Sequence, residues 1–258
     1  MKNSLKNIVQ KIYNYPVNSP QRINKFQMQI RDYEWEAIEK FIEKGKFLDV
    51  GCGAGYSMYK AQLIGCEVFG IDPEPREHGV GRKDSDFIIP IENIIQGFSE
   101  QIPFSNEEFN TVFCSHVLEH VTDLPQSLKE IARVTKKDGI IILGVPTSTM
   151  AWINWISEFI FITHHKFVNI FFKKFITTGN THWWELFIPV SHSYPLAKTS
   201  WYDIFNYRTK VWEKKIQNHI EIQQVIKPCL YPSPDYRQLF RMRKNVKYSS
   251  SVFFVCKK

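Results

Sequence analysis

The chain is poor in cysteine and has no long apolar run and no repeat, and each lack removes a class of protein. Its five cysteines, Cys52, Cys66, Cys114, Cys229 and Cys256, are odd in number and share no metal-ligand spacing. That argues against a disulfide framework, leaves no cysteine-based metal site to expect and fits a reducing compartment. No stretch approaches the ~18–20 uninterrupted apolar residues of a membrane span. The opening residues Met1-Lys2-Asn3-Ser4-Leu5-Lys6 lack the apolar core of a secretory leader, so the expected location is the cytoplasm. No low-complexity tract interrupts the chain.

What is present suits one α/β domain. The 258 residues are 43% apolar and 23% charged, the balance of a globular protein with an ordinary core. The net charge of +7 has two readings, an acidic partner or a basic, soluble surface. Residues 1–45 read as an N-terminal extension whose helix, Gln27 to Lys44, turns Ile30, Tyr33, Ala37, Ile38, Phe41 and Ile42 inward and stops at Gly45. A core over 46–148 follows, with strands at 46–50, 67–71, 94–96, Phe109–Ser115 and Ile140–Val145. Helices are expected over Tyr56–Ile64 and Leu124–Lys136, and a turn at Asp138-Gly139. The crossover Pro73–Asn93 shows no helical period. Residues 149–199 form an aromatic insertion. Residues 200–258 give a helix, Ser200–Gln217, and two last strands, Ile220–Ile226 and Ser250–Val255. This alternation predicts a mostly parallel sheet with helices on both faces.

The chemistry is concentrated in Phe47-Leu48-Asp49-Val50-Gly51-Cys52-Gly53-Ala54-Gly55-Tyr56. An apolar strand ends at an acid and runs into three alternate glycines. Such a turn passes close beneath a ligand, because no Cβ stands between backbone and ligand. Asp72 closes the next strand 21 residues after Gly51, where a carboxylate can accept from both ribose hydroxyls. A dinucleotide turn needs Gly-x-Gly-x-x-Gly around a pyrophosphate. Here Tyr56 occupies the last glycine's place, and Asp49 sets a negative charge before the turn. That favours a cationic cofactor.

The stretch resembles the class I S-adenosylmethionine-dependent methyltransferases, in particular their broad small-molecule group. Three later segments continue the likeness: Gln96-Gly97-Phe98-Ser99-Glu100-Gln101-Ile102-Pro103-Phe104, Phe109 to Val121, and Lys137 to Pro146. The resemblance implies a Rossmann-like doubly wound seven-strand sheet, order 3-2-1-4-5-7-6 with the last strand antiparallel, and S-adenosylmethionine as cofactor. By the same likeness Asp49, Gly51, Cys52, Gly53 and Gly55 meet the methionine part, Asp72 the ribose and Pro73 the adenine. Phe98 and Ser99 line the adenine pocket, and Ser115 and His116 face the reacting methyl. The family's usual aspartate is Phe98 here. Phe98 either stacks on adenine or is core, and Glu100 is the alternative partner.

His116-Val117-Leu118-Glu119-His120 also matches a zinc-peptidase pattern. That motif must lie within a helix, whereas His116 directly follows a strand, so no metal is expected and Glu119 and His120 are read as structuring a turn. Methyl transfer to a hydroxyl is helped by a base, and His116 is the best-placed candidate, with simple packing against the cofactor as the competing role. His182, His192 and Tyr194 are further candidates for the acceptor pocket. In the insertion, Trp152, Trp155, Ile156, Phe159, Ile160 and Thr163 share a helical face, followed by Phe167, Phe171 and Phe175 beside Lys166, Lys173 and Lys174. A lid, a peripheral membrane contact over Trp152–Phe175 reaching a lipid-linked acceptor, and an oligomer interface compete. The basic run Arg237 to Lys247 reads as a solvated loop. Without an Asn-Pro-Pro-Tyr or Asp-Pro-Pro-Tyr signature after the fourth strand, nucleic acid is not the expected partner. The expected acceptor is a small molecule, lipid-linked group or glycan, methylated on oxygen. A methyltransferase-fold protein serving only as a scaffold is the alternative.

Overall fold

The computed structural model describes residues 19–75, 91–157, 160, 191–193, 199–234, 240–244 and 246–258. The strands are β1 (Lys46–Val50), β2 (Glu67–Asp72), β3 (Ile94–Gln96), β4 (Phe109–Ser115), β5 (Thr135–Pro146), β6 (Glu221–Ile226), β7 (Cys229–Leu230), β8 (Arg243–Lys244) and β9 (Ser251–Lys257). The helices are α1 (Pro20–Ile38), α2 (Tyr56–Leu63), α3 (Leu124–Val134), α4 (148–157), α5 (Ser200–Asn206) and α6 (Thr209–Gln217). Seven strands form one sheet in the order β3-β2-β1-β4-β5-β9-β6, and β7 and β8 make a separate two-stranded ribbon. Strands β3, β2, β1, β4 and β5 run parallel, and β9 lies antiparallel to both β5 and β6. Taking β9 as the seventh strand of the sheet, this is the expected topology.

The two-residue period of a strand explains the two cores. Phe47, Phe113, Ile142 and Phe253 face one side, with Trp35 and Ile38 of α1 and Met58 and Ala61 of α2. Their neighbours Leu48, Val112, Cys114, Ile141, Leu143 and Phe254 face the other, with Leu128 and Ile131 of α3 and Trp212 and Ile216 of α6. Aromatics align across the sheet: the Phe47 and Phe113 rings of neighbouring β1 and β4 stack at 6.1 Å, and Phe113 stacks on Phe253 of β9, across β5, at 6.2 Å.

Several element boundaries differ from the sequence reading. Helix α1 begins at Pro20, well before Gln27, because Ser19 caps it and proline suits the first helical position. Its buried residues are Phe26, Ile30, Glu34, Trp35 and Ile38, so a carboxylate stands on the inward face and Tyr33 is only half-buried. Helix α3 ends at Val134, and β5 starts at Thr135, which pairs with Phe109. The register jumps from that pair to Thr111↔Ile140, so the expected Asp138-Gly139 turn is an irregularity inside β5. The single helix Ser200–Gln217 is two, α5 and α6, since Arg208 is extended at ψ 134°. Tyr207, fully buried and stacked on Trp212, fills the break. Residues 76–90, and with them most of the Pro73–Asn93 crossover, lie outside the described residues. So do Phe159, Thr163, Lys166, Phe167, Phe171, Lys173, Lys174, Phe175, His182, Tyr194 and Arg237.

Candidate active site

The parallel strands β1, β2 and β4 end along one edge of the sheet, where open α/β sheets bind ligands. The glycine turn after β1 rests on β2: the amides of Gly51 and Cys52 donate to the Ile71 carbonyl at 2.8 and 3.0 Å. Gly51, Gly53 and Gly55 have φ of +77°, +52° and +84°, a region that side chains strain to occupy. At Gly51 a Cβ would also stand 2.1 Å from Val117 Cγ2. The glycines are therefore required by the backbone path and by the turn after β4 as well as by a ligand.

Asp72 holds this turn from below. Its Oδ2 accepts from the Gly53 amide at 2.8 Å and its Oδ1 from the Glu74 amide at 2.9 Å. Each oxygen keeps a lone pair for a further donor, as a ribose requires. Asp49 is 3% exposed, and burial, with the negative charge of Asp72 added, pushes its carboxyl up to about 8. A buried acid in that state is a site prepared for a cation. The Cys52 side chain points into the core beneath Gly70, so it can meet a ligand only through its backbone. Pro73 is exposed, and its carbonyl accepts from Gln96 Nε2 at 2.9 Å.

Phe98 is 64% exposed, which removes the core reading of that ring. Ser99 is buried and shares a hydrogen bond of 2.9 Å with Ser127. Glu100 accepts through Oε1 from the amide and hydroxyl of Thr122 and through Oε2 from the Ser99 hydroxyl, all at 3.1 Å. At the end of β4, the Ser115 hydroxyl is buried with no hydrogen-bond partner among the described residues. His116 follows at φ +57°, its amide bonded to the Gly144 carbonyl at 2.8 Å. A histidine held left-handed is a strained backbone feature of the kind that clusters at functional sites.

Sequence reasoning missed α1 as part of the site. Glu34 is 2% exposed and sits 3.3 Å from His116 Nε2, 2.5 Å from the Ser251 hydroxyl and against the Arg31 guanidinium. Burial works against its ionisation, but Arg31 and His116 outweigh it and lower the carboxyl to about 2. Burial also disfavours charge on His116, yet Glu34 and Glu119 hold the imidazole above its usual range. Asp32 latches the helix to α2, accepting from Tyr56 Oη at 2.5 Å and Lys60 Nζ at 3.0 Å. The one sequence signal was Glu34 on the i, i+4 line of Phe26, Ile30 and Ile38. A cavity of about 300 Å³ opens beside His116, lined also by Ile30, Arg31, Met150, His192 and Tyr231. His192 thus lines the same cavity as His116.

Residues 48–143 match the methyltransferase domain family. A buried acid, a glycine turn and a ribose-ready carboxylate stand together on that matched segment. Over that segment the chain is similar to the class I S-adenosylmethionine-dependent methyltransferases. Among its relatives, the ubiquinone biosynthesis O-methyltransferase of Rhodopseudomonas palustris is 28% identical over 177 residues, 65% of this chain and 64% of that protein. The enzyme of the same name from Pelagibacter ubique is 24% identical, with 66% of each chain covered. The chain thus spans just under two thirds of these relatives' length. In fold it is similar to an S-adenosylmethionine-dependent methyltransferase from Thermotoga maritima (TM-score 0.51, 18% identity, 90% and 97% covered). Another from Mesorhizobium loti gives a TM-score of 0.53 at 11% identity, with 88% and 98% covered. The residues fit the family's cofactor, since Asp49 suits its positive sulfur, Asp72 its ribose and the unpartnered Ser115 hydroxyl one of its polar groups.

Proposed function

We propose that this methyltransferase alkylates a hydroxyl oxygen on a small or lipid-linked acceptor, with His116 taking the hydroxyl proton. The observation that carries this is the Glu34–His116 pair at the cavity wall. Glu34 is an acceptor only, so the Nε2 facing it bears the hydrogen, and the carboxylates of Glu34 and Glu119 on either side of the ring stabilise the imidazolium that forms when it takes a proton. S-adenosylmethionine supplies a methyl carbon already activated by a cationic sulfur. Asp49, Gly51, Gly53, Gly55 and Ser115 would hold its methionine portion, and Asp72, Pro73, Phe98 and Ser99 its nucleoside. Arg31, a cation on the cavity wall, is suited to a carboxylate there. The protein's part is then to align the hydroxyl and accept its proton.

Two observations support an apolar acceptor. Ile30, Met150 and Tyr231 line the cavity, and the similar proteins are named as O-methyltransferases of ubiquinone biosynthesis. Exposed apolar residues on α4 and α5, among them Trp152, Ile156, Trp201 and Phe205, support shallow contact with a bilayer that carries such an acceptor. The test is transfer of labelled methyl to a panel of hydroxylated aromatic and prenylated phenols. His116→Ala should lower kcat by about 10²–10⁴ while cofactor affinity holds within a few-fold. Cofactor binding by the wild type with no transfer to any hydroxyl would overturn the reading in favour of a scaffold.

A further inference from the structure

Glu119 is the least satisfied charged group among the described residues. Its side chain is fully buried, and neither carboxylate oxygen has a hydrogen-bond partner there. A buried carboxylate served by no hydrogen bond is costly unless a cation compensates it. Three imidazoles surround it at ion-pair range and none at bonding range. From Oε1 the distances are 3.7 Å to His116 Nδ1 and 3.9 Å each to His120 Nε2 and His192 Nε2. The donor atoms of Glu119, His120 and His192 all lie within 4.8 Å of one another.

We propose that Glu119, His120 and His192 bind a divalent cation of the zinc class at the rim of the cavity. Ligands about 2.0–2.1 Å from a tetrahedral zinc stand about 3.3–3.4 Å apart, so each gap to Glu119 closes by roughly half an ångström. The two histidines are half-exposed, with side chains at 43% and 41%, and can make that shift. Their backbones are already fixed. The His120 amide donates to Val117 at 2.8 Å, and the His192 amide donates to Asp203 Oδ2 at 2.7 Å. The Ser191 hydroxyl ties the same carboxylate at 2.6 Å. Two imidazoles and one carboxylate favour zinc and its late first-row neighbours over magnesium or calcium. Three protein ligands leave a fourth position open, and since His120 and His192 both line the cavity, that position faces it. The five cysteines are buried and do not compete.

This differs from the helical zinc-peptidase arrangement that the sequence pattern suggests. His116 stays with Glu34, and the third ligand comes from a segment 72 residues further along the chain. The inference concerns metal binding alone and stands apart from the acceptor reading. The untagged full chain, stripped with chelator, is titrated with zinc, cobalt and magnesium salts. Expected are one equivalent of zinc by elemental analysis, a raised Tm, and visible absorption bands with cobalt, with magnesium ineffective at the same concentration. His192→Ala and His120→Ala should each weaken zinc at least about hundredfold, with circular dichroism unchanged. No zinc uptake by the wild type would overturn the site. So would uptake that persists unchanged in the His120→Ala/His192→Ala double variant.

Discussion

Asp49 makes the cofactor site sensitive to pH. Its folded pKa of about 8 lies above the ordinary 3.8, so the free protein loses stability as pH rises between those values. Asp49→Asn should therefore raise Tm in the unliganded protein at pH 8, little at pH 5, and abolish cofactor binding. A sulfonium beside Asp49 draws off its proton, so calorimetry at pH 7 should show heats that depend on buffer ionisation enthalpy. Glu34 behaves oppositely. Its pKa falls from 4.5 to about 2, so its contribution is whole above pH 4.5 and disappears as pH drops to 2. At about 1.4 kcal/mol per unit, Glu34→Gln should cost roughly 3 kcal/mol near neutrality in denaturant unfolding, and the loss should shrink as pH falls. Asp49, the glycines and Asp72 are legible in sequence because a strand, a turn and a strand fix their spacing locally. Glu34 is not, because tertiary packing delivers it: His116 and Glu34 are 82 residues apart. Phe98, open to solvent where the family keeps an acid, is legible only as a departure.

At the scale of elements, α1 is a structural wall of the site. Trp35 packs edge-on against Phe47 and Phe113 at 6.3 and 6.2 Å, and Asp32 fastens the helix to α2. Truncating a buried tryptophan costs about 3–5 kcal/mol. Trp35→Ala should show that loss in denaturant unfolding and should also weaken cofactor binding, because Glu34 and Arg31 shift with the helix. An unchanged cofactor Kd in a folded Trp35→Ala protein would separate α1 from the site. Element type in the seven-stranded sheet was readable from period and apolar runs, whereas the basic run read as a solvated loop contains β8, whose Arg243 and Lys244 pair with Leu230 and Cys229 by backbone alone and carry no apolar signal. Ends were less so, for reasons visible in the packing. Pro20 starts α1 ahead of the helical period expected from Gln27, and the α5–α6 break carries neither glycine nor proline, with Tyr207 buried in it.

At the scale of the molecule, the alternation of strands and helices predicted a mostly parallel sheet, the family likeness implied its order, and the seven strands bear both out. The surface carries one further expectation. Trp152, Trp155 and Trp201 form a cluster with ring centroids 5.8 to 6.4 Å apart, next to exposed Ile156 and Phe205. Tryptophan and basic side chains together suit a membrane interface. The protein should float with anionic liposomes and show blue-shifted tryptophan emission, and Trp152→Ser with Phe205→Ser should reduce both. Equal recovery in the unbound fraction with and without lipid would remove the membrane contact from the reading.

Strand β9 sits between β5 and β6, although almost the whole described sequence precedes it. Its first residue, Ser251, reaches Glu34 across 217 positions. On the ribosome, the β5 edge from Ile140 to Pro146 therefore waits, unpaired on that side, for a partner that lies about a hundred residues further along the chain. Until it arrives, the Glu34–His116 pair lacks its serine, and an apolar edge stands open to neighbouring chains. Assembly of the wall around His116 thus waits on β9, and a nascent chain should depend on protection of that edge until Ser251 has emerged.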